Sequence, residues 1–439
     1  MNSLAHSPYR IRDPIHGNIH VTAAERDLLL HPVMLRLRRI KQLGFSEYVY
    51  PGATHNRFGH SLGVMHMATR LFDKLFEGPD SLLDPRDRPR LRQAVRLAAL
   101  VHDVGHAPLS HMSEVCMPLR SQVLPPSVLA ILPPEGRARR ASHEDYTAAL
   151  VMEEDFAATL RELFAQYDVE PLVLLSLLKG DYLNGPEHFR LEGVDFLPVL
   201  HQIVSSEVDA DRMDYLLRDS LYCGVSYGRY DADWLTDNMK AAAEGDRVYL
   251  GMSARNIFSF ENFLLSRYHM FINVYCHSLS RAFGRMLQMF LEDEGYTYTS
   301  DIHQYLALDD TTLYRRLAGS DNRWAKSLVS ALPFVRLLEV TSYDAMQRPW
   351  PLEAIRAALD EARLEWFEDR VSNVLSTLYQ DGGDALPIYV ISEQGEKWLL
   401  KDYTTLFERF SKPVEFTRLF VHPRHGRQAR ALVDRLTLP

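Results

Sequence analysis

Polar and apolar residues alternate from Tyr9 to Val21, with Gly17-Asn18 between the two arms. A period of two around a Gly-Asn turn predicts a short β-hairpin. From there to about Asp293 the apolar spacing changes to three and four, the period of helices that bury one face. One such run leads from Asn56 into Met65, Ala68, Leu71 and Phe72. Another, Ala98-Ala99-Leu100-Val101, stops at His102-Asp103 before Gly105 and Pro108. Pro118, Pro125, Pro126, Pro133 and Pro134 interrupt the pattern between Cys116 and Ala141, predicting a loop or short-helix excursion. Ser142 then N-caps a further helix, with Asp145 three residues on. Arg255 to Asp293 reads as one long helical pattern free of proline.

Beyond Gly295 the pattern is of polar helices through Trp366, then strand candidates at Leu386–Ile391 and Leu419–Val421. The expected fold is mainly α, a bundle of crossing helices with a short N-terminal hairpin and a small mixed α+β C-terminal lobe. A chain of 439 residues exceeds the usual single-domain size, which fits a division into residues 1–295 and 296–439.

Composition narrows the function classes. A hydrophobic fraction of 46% and a charged fraction of 24% are those of an ordinary globular protein. A net charge of −9 argues against a dedicated nucleic-acid binder, which carries a basic surplus. The basic runs Arg36–Arg39 and Arg137–Arg140 read as solvated faces, with an anionic substrate pocket as the competing use. Cys116, Cys223 and Cys276 are few and widely spaced, as expected of free thiols in a reducing cytosol. Residues Met1 to Arg10 lack a signal pattern, and no apolar run reaches the roughly 18 residues of a membrane span. The expected location is cytoplasmic, with no membrane partner.

The candidate chemistry begins at His102-Asp103. Successive helical residues point about 100° apart, so adjacent ligands cannot chelate from one straight helical face. At a helix end both can converge on one ion if other helices complete the set. His60, in Asn56-Arg57-Phe58-Gly59-His60, and a carboxylate from Glu207–Asp219 would make a His2Asp2 set. Asp211, Tyr215 and Asp219 stand at i, i+4 and i+8 on one face, whereas Asp209 and Asp214 project elsewhere, which favours Asp211. Two imidazoles and two carboxylates without thiolate suit Mn, Fe, Zn or Ni.

Together with Arg36–Gly44 and Val49–His60, these segments resemble the HD phosphohydrolase superfamily. Within it they are most similar to the dNTP triphosphohydrolases, the sterile-alpha-motif-and-HD-domain enzymes and their bacterial relatives. The resemblance runs from about Asp13 to about Arg281, so the chain is read as starting almost at the catalytic part, without a sterile-alpha-motif domain. It implies an HD-domain helical bundle around a divalent metal held by His60, His102, Asp103 and Asp211. The implied reaction is hydrolysis of a dNTP at the α-phosphorus to a deoxynucleoside and inorganic triphosphate. His106 would contact phosphate, and His111, Glu114 and His143 would form a histidine–acid–histidine group for leaving-group protonation. Arg57, Arg212 and Arg267 would clamp the triphosphate, with magnesium as its companion ion. Gln42 and Asp219 would bond the 3′-hydroxyl, and Leu43 would lie against sugar and base. Tyr215 would line the site. Tyr275 would wall off the 2′ carbon, its hydroxyl free to reach a phosphate. Family members commonly form dimers of dimers, implying a homo-oligomer, dimer or tetramer.

The chain departs from the family in places. The acid at Glu114 is usually Asp, and the position of Arg212 is commonly Lys. Leu30 and Leu35 stand where nucleotide-activated members carry Asp and Gln, while Arg38 keeps the basic residue; leucine cannot hydrogen-bond a guanine edge. Two other functions remain open at this level: a phosphohydrolase for another nucleotide or phosphodiester, and a non-catalytic nucleotide- or nucleic-acid-binding protein. The chain lacks the Gly-Tyr-Pro signature of cyclic-dinucleotide phosphodiesterases.

Overall fold

The computed structural model describes residues 9–79, 81–131, 134–373, 386–404, 406 and 413–437; Pro133 lies outside them. Helices cross around a buried centre, a two-stranded hairpin precedes them and a mixed lobe follows, as the apolar pattern predicts. The hairpin pairs β1 (Tyr9–Asp13) with β2 (Gly17–Val21), Asp13 opposite Gly17. Its turn is therefore Pro14-Ile15-His16, and Gly17-Asn18 belongs to the second strand instead of forming the turn. The Asp13 side chain decides this, accepting the Ile15 and His16 amides at 2.9 and 3.0 Å. Gly17, at φ +70°, closes the loop in the left-handed region.

The central helix α1 (Arg57–Phe76) is apolar almost all round and accordingly buried on most sides. It packs against α2 (Arg88–Val101), which buries Leu91 through Val101. Between Cys116 and Ala141 the chain makes short helices, including Arg120–Val123 and Pro126–Leu129. The next helix, α3 (His143–Val151), begins with Ser142 and Asp145 in a reciprocal capping box. Then α4 (Ala210–Cys223), capped by Asp209, ends at Gly224 in the left-handed conformation (φ +68°).

Four strands interrupt the helical stretch where none was expected: the short pair Arg190–Leu191 and Val194–Asp195, and the longer antiparallel pair β3 (Met239–Glu244) and β4 (Arg247–Ser253). Gly245 turns the chain at φ +60°, and β4 buries every residue after Arg247. That burial outweighs the helical propensity of Lys240 to Glu244.

The long pattern from Arg255 to Asp293 is likewise split. Helix α5 (Ile257–Met270) ends in a π turn over Phe271–Tyr275, and α6 (Ser278–Asp293) restarts behind His277. A π turn widens the backbone by one residue and re-aims side chains, a common feature of functional sites. Tyr275 sits on it.

In the C-terminal part, β5 (Val335–Thr341) and β6 (Trp366–Asn373) flank a later strand, Val414–Val421, in an antiparallel sheet. Trp366 thus opens a strand and does not close a helix. The candidate at Leu386–Ile391 shortens to β7 (Tyr389–Ile391), which joins β4 in parallel; Pro387 has no amide for the ladder. The candidate at Leu419–Val421 lengthens to β8 (Val414–Val421). Leu337, Ile355, Leu359 and Leu419 form a separate small core. Of the basic runs, Arg36 is neither solvated nor in the pocket: fully buried, it donates to the carbonyls of Leu308 and Val104. Among the described residues no helix is long and apolar enough to cross a membrane.

Candidate active site

Asn56 caps α1 by accepting the Gly59 amide, which places His60 in the first helical turn, facing inward. His102 is the C-cap of α2, and Asp103 follows it. Chain crowding fixes this corner. A Cβ on Gly105 would stand 2.1 Å from the His143 carbonyl and 2.2 Å from the Thr147 amide, so only glycine lets α3 approach. Asp211 enters from the first turn of α4.

These elements bring the predicted ligands together. The ligand atoms of His60, His102 and Asp211 all lie within 4.8 Å of one another. Asp211 Oδ1 is 2.9 Å from His60 Nε2 and 3.7 Å from His102 Nε2. Asp103 completes the set, Oδ1 3.3 Å from His102 Nε2 and Oδ2 3.7 Å from His60 Nε2.

The donor set fits a divalent ion. His102 donates from Nδ1 to the Ala99 carbonyl at 2.8 Å, leaving Nε2 buried with no partner. His60 donates from Nδ1 to Asp214 Oδ2 at 2.8 Å. Both rings thus turn Nε2 toward the same point. Burial works against a cation at His60, yet the Asp211 and Asp214 carboxylates push its pKa up to about 10, so an ion binding at Nε2 displaces a proton.

Beside it stands a second cluster. Glu114 Oε1 lies 2.8 Å from His143 Nδ1, 3.0 Å from His111 Nδ1 and 3.6 Å from His106 Nδ1. The longer glutamate therefore reaches both partners of the implied histidine–acid–histidine group. Burial opposes its charge, but the hydrogen bonds from His111 and His143 hold Glu114 well below the usual carboxylate range. His106 stacks on His143 at 3.9 Å and bonds Asp103 Oδ1 at 3.2 Å through Nε2, linking the two clusters. Burial, then the Arg57 cation, pushes His106 far below its ordinary pKa, so it stays neutral at neutral pH.

Both clusters open into one cavity of about 640 Å³. Gln42, Leu43, Arg57, Tyr215, Asp219, Arg267 and Tyr275 line it with His60, Asp103, His106, His111, His143 and Asp211. Arg57 is held by Ser110 Oγ and Asp103, and Arg267 by Glu207 at 2.8 Å. Arg212 is not among the lining residues; it folds back onto Asp209 and the Ser206 carbonyl. The Tyr275 hydroxyl is not free, since it donates to Asp219 Oδ2 at 2.8 Å.

The HD domain pattern matches residues 57–218, and the HD associated region matches residues 231–362. The chain belongs with the HD-domain phosphohydrolases. It is 27% identical over 403 residues to an uncharacterized protein of Methanocaldococcus jannaschii, spanning 89% of this chain and 73% of that one. It is 31% identical over 227 residues to the deoxynucleoside triphosphate triphosphohydrolase SAMHD1 of Bos taurus, 49% of this chain and 36% of that protein. The crystal structure of a hypothetical protein from Aquifex aeolicus has the same fold, with a TM-score of 0.73 at 27% identity over 97% of this chain and 99% of that one.

Several residues around this HD-domain site have no role in the sequence reading. Asp214 does project away from the Asp211 face, and from there it supports His60 from behind; its i, i+4 spacing to Arg218 was the available signal. His55 bonds the other Asp219 oxygen at 2.7 Å. Asp310, from beyond residue 295, accepts the Lys41 and Leu109 amides at 2.9 and 2.7 Å and so pins the two loops that carry Gln42 and Ser110. Burial raises its pKa to about 6. No local pattern announces Asp310, because both its partners are backbone groups far away in sequence.

Proposed function

We propose that this HD-domain protein is a metal-dependent dNTP triphosphohydrolase, with residues 1–295 as its catalytic domain and 296–439 as an appended lobe. The observation that carries the reading is the single cavity lined by His60, Asp103 and Asp211 of the ligand set, by His111 and His143, and by Gln42, Leu43 and Tyr275. His60, His102, Asp103 and Asp211 would hold the ion, of the Mn, Fe, Zn or Ni class. When bound, it supplies Lewis acidity for activating water and polarising a phosphoryl oxygen.

The chain's own residues do the rest. Arg57 and Arg267 offer guanidinium donors to the triphosphate, which with its magnesium enters the open cavity. Arg212, leaving Asp209, would be a third. His106, neutral, has a single N–H, which it would turn from Asp103 Oδ1 to a phosphate oxygen. Glu114 Oε1 fixes His111 and His143 through their Nδ1 atoms, so that one of them, as the imidazolium, would carry an Nε2 proton for the departing 5′-oxygen and recover one from the attacking water. Water adds to the α-phosphorus, the bond from phosphorus to O5′ breaks, and O5′ takes that proton. The products are a deoxynucleoside and intact triphosphate. Tyr215 and the Tyr275 ring face the sugar, and Asp219 and Gln42 present polar atoms to its 3′-hydroxyl; Gln42 Oε1 is buried without a partner.

The similarity to SAMHD1 supports this substrate class. A homo-oligomeric assembly, dimer or tetramer, belongs to the same proposal. The cytoplasm is the proposed location. Incubating metal-loaded protein with each dNTP and resolving the phosphate products tests the reading. Intact triphosphate is expected; dNMP with pyrophosphate, or dNDP with phosphate, would replace it with a different phosphohydrolase.

A further inference from the structure

Asp214 is completely buried behind the metal-ligand cluster, and four side-chain donors converge on its two oxygens. Oδ2 accepts from His60 Nδ1 and from Arg218 Nε, both at 2.8 Å. Oδ1 accepts from Arg218 Nη2 at 2.9 Å and lies 2.6 Å from His16 Nε2. Arg218 then reaches on, Nη1 to Asp13 Oδ2 at 2.9 Å. Asp13 and His16 come from the turn of the N-terminal hairpin, and the other oxygen of Asp13 shapes that turn by accepting the Ile15 and His16 amides. The chain Asp13–Arg218–Asp214–His60 is therefore continuous from the hairpin to the ligand cluster.

The backbone is built around this carboxylate. Gly63 lies three residues after His60 on α1, and a Cβ there would stand 1.8 Å from Asp214 Oδ1 and 2.5 Å from Arg218 Nη2. Nothing larger than glycine leaves room for the pair at that turn. A buried carboxylate with every acceptor position filled cannot rotate, so His60 is held as the Nδ1–H tautomer with Nε2 toward the ligands.

We infer that the N-terminal hairpin is an outer part of the metal centre: Asp13 and His16 act through Asp214 and Arg218 as positioning residues for His60. The inference rests on the metal site of the proposed function, not on the identity of the substrate.

The test is metal affinity, measured by chelator competition with Mn2+ or Co2+ on purified full-length protein, alongside the melting temperature of the metal-free form. Asp214→Asn is expected to weaken affinity about 10- to 100-fold, the range for outer partners of a metal-bound histidine. His16→Ala is expected to weaken it by about tenfold, the lower end of that range. His16→Gln, whose amide can still donate to Asp214, should recover most of the loss. Leu359→Ala, in the separate core of the C-terminal lobe, should lower the melting temperature and leave the affinity unchanged. Wild-type affinity in folded Asp214→Asn and His16→Ala overturns the inference, as does an equal weakening by Leu359→Ala. If wild-type protein takes up no stoichiometric metal, the metal-centre reading itself has failed; if it takes up metal but hydrolyses no dNTP, only the substrate reading has.

Discussion

The Tyr275 hydroxyl donates to Asp219 Oδ2 at 2.8 Å, while His55 Nε2 sits 2.7 Å from the other oxygen of the same carboxylate. Burial and the nearby carboxylate push the tyrosine far above its ordinary pKa, so it remains a donor. The ring is therefore held in one orientation before any nucleotide enters, and Asp219 is occupied until a sugar hydroxyl competes for it.

Sugar discrimination should follow from that locked ring. A ribose 2′-hydroxyl against it loses water without replacement, costing about 1–3 kcal/mol, or roughly a 5- to 150-fold preference for dATP over ATP in kcat/KM. Tyr275→Phe keeps the wall and should retain most of the preference. Tyr275→Ala should lose it. Equal kcat/KM for dATP and ATP in the wild type would remove the deoxy-specific reading.

Metal removal separates site from scaffold. Asp211→Ala and His102→Ala should each purify with little metal by elemental analysis and no measurable turnover, with helical circular dichroism retained. The helices around them bury their own apolar faces, so the fold does not depend on the ion. Full metal content in Asp211→Ala would show that the fourth ligand lies elsewhere.

The histidine–glutamate cluster predicts a graded response. His111→Ala should lower kcat by about 10²- to 10⁴-fold, the usual worth of a positioned proton donor, with a much smaller change in KM. Glu114→Gln should lower kcat less, because the histidines remain but lose their fixed orientation. A KM effect larger than the kcat effect would make the cluster a binding element instead.

Acid stability can be read from Glu25. It is fully buried, and Arg96 bonds it through Nε at 2.7 Å and Nη2 at 2.8 Å. Burial alone would raise its pKa, but Arg96, then Gln93 and the Thr22 amide, hold it below the ordinary glutamate value. A lowered folded-state pKa means stability that is present above the unfolded value, near 4.3, and is lost as pH falls through the lowered one. Glu25→Gln should therefore cost about 3–5 kcal/mol at pH 7 in urea unfolding. The gap from wild type should narrow as pH drops below about 4. A gap independent of pH would show that the pair does not titrate as described.

Much of the site was legible because its motifs are local. Asn56 caps the helix that carries His60, Gly105 ends the run that carries His102-Asp103, and the spacing of Asp211, Tyr215 and Asp219 puts all three on one face. What failed to show depends on distant segments. The run Val248–Met252 does not alternate, and it becomes a buried strand only because β3 and β7, the latter from beyond residue 388, pair with it on either side. The π turn at Phe271–Tyr275 leaves the apolar period almost intact, so the long pattern read as one helix.

The sequence by itself determined the helical class and the candidate ligand types, because periodicity, capping and side-chain chemistry act over a few residues; the histidine–glutamate group came only from resemblance to the family. Only the tertiary structure decided how these carboxylates are disposed about His60. Asp211 and Asp214 share one helix three residues apart; the first faces His60 Nε2 and the second His60 Nδ1. That choice depends on α1 lying between them and on a hairpin turn, nearly two hundred residues earlier, closing over Asp214. Packing across that separation fixes it, and no local pattern encodes it.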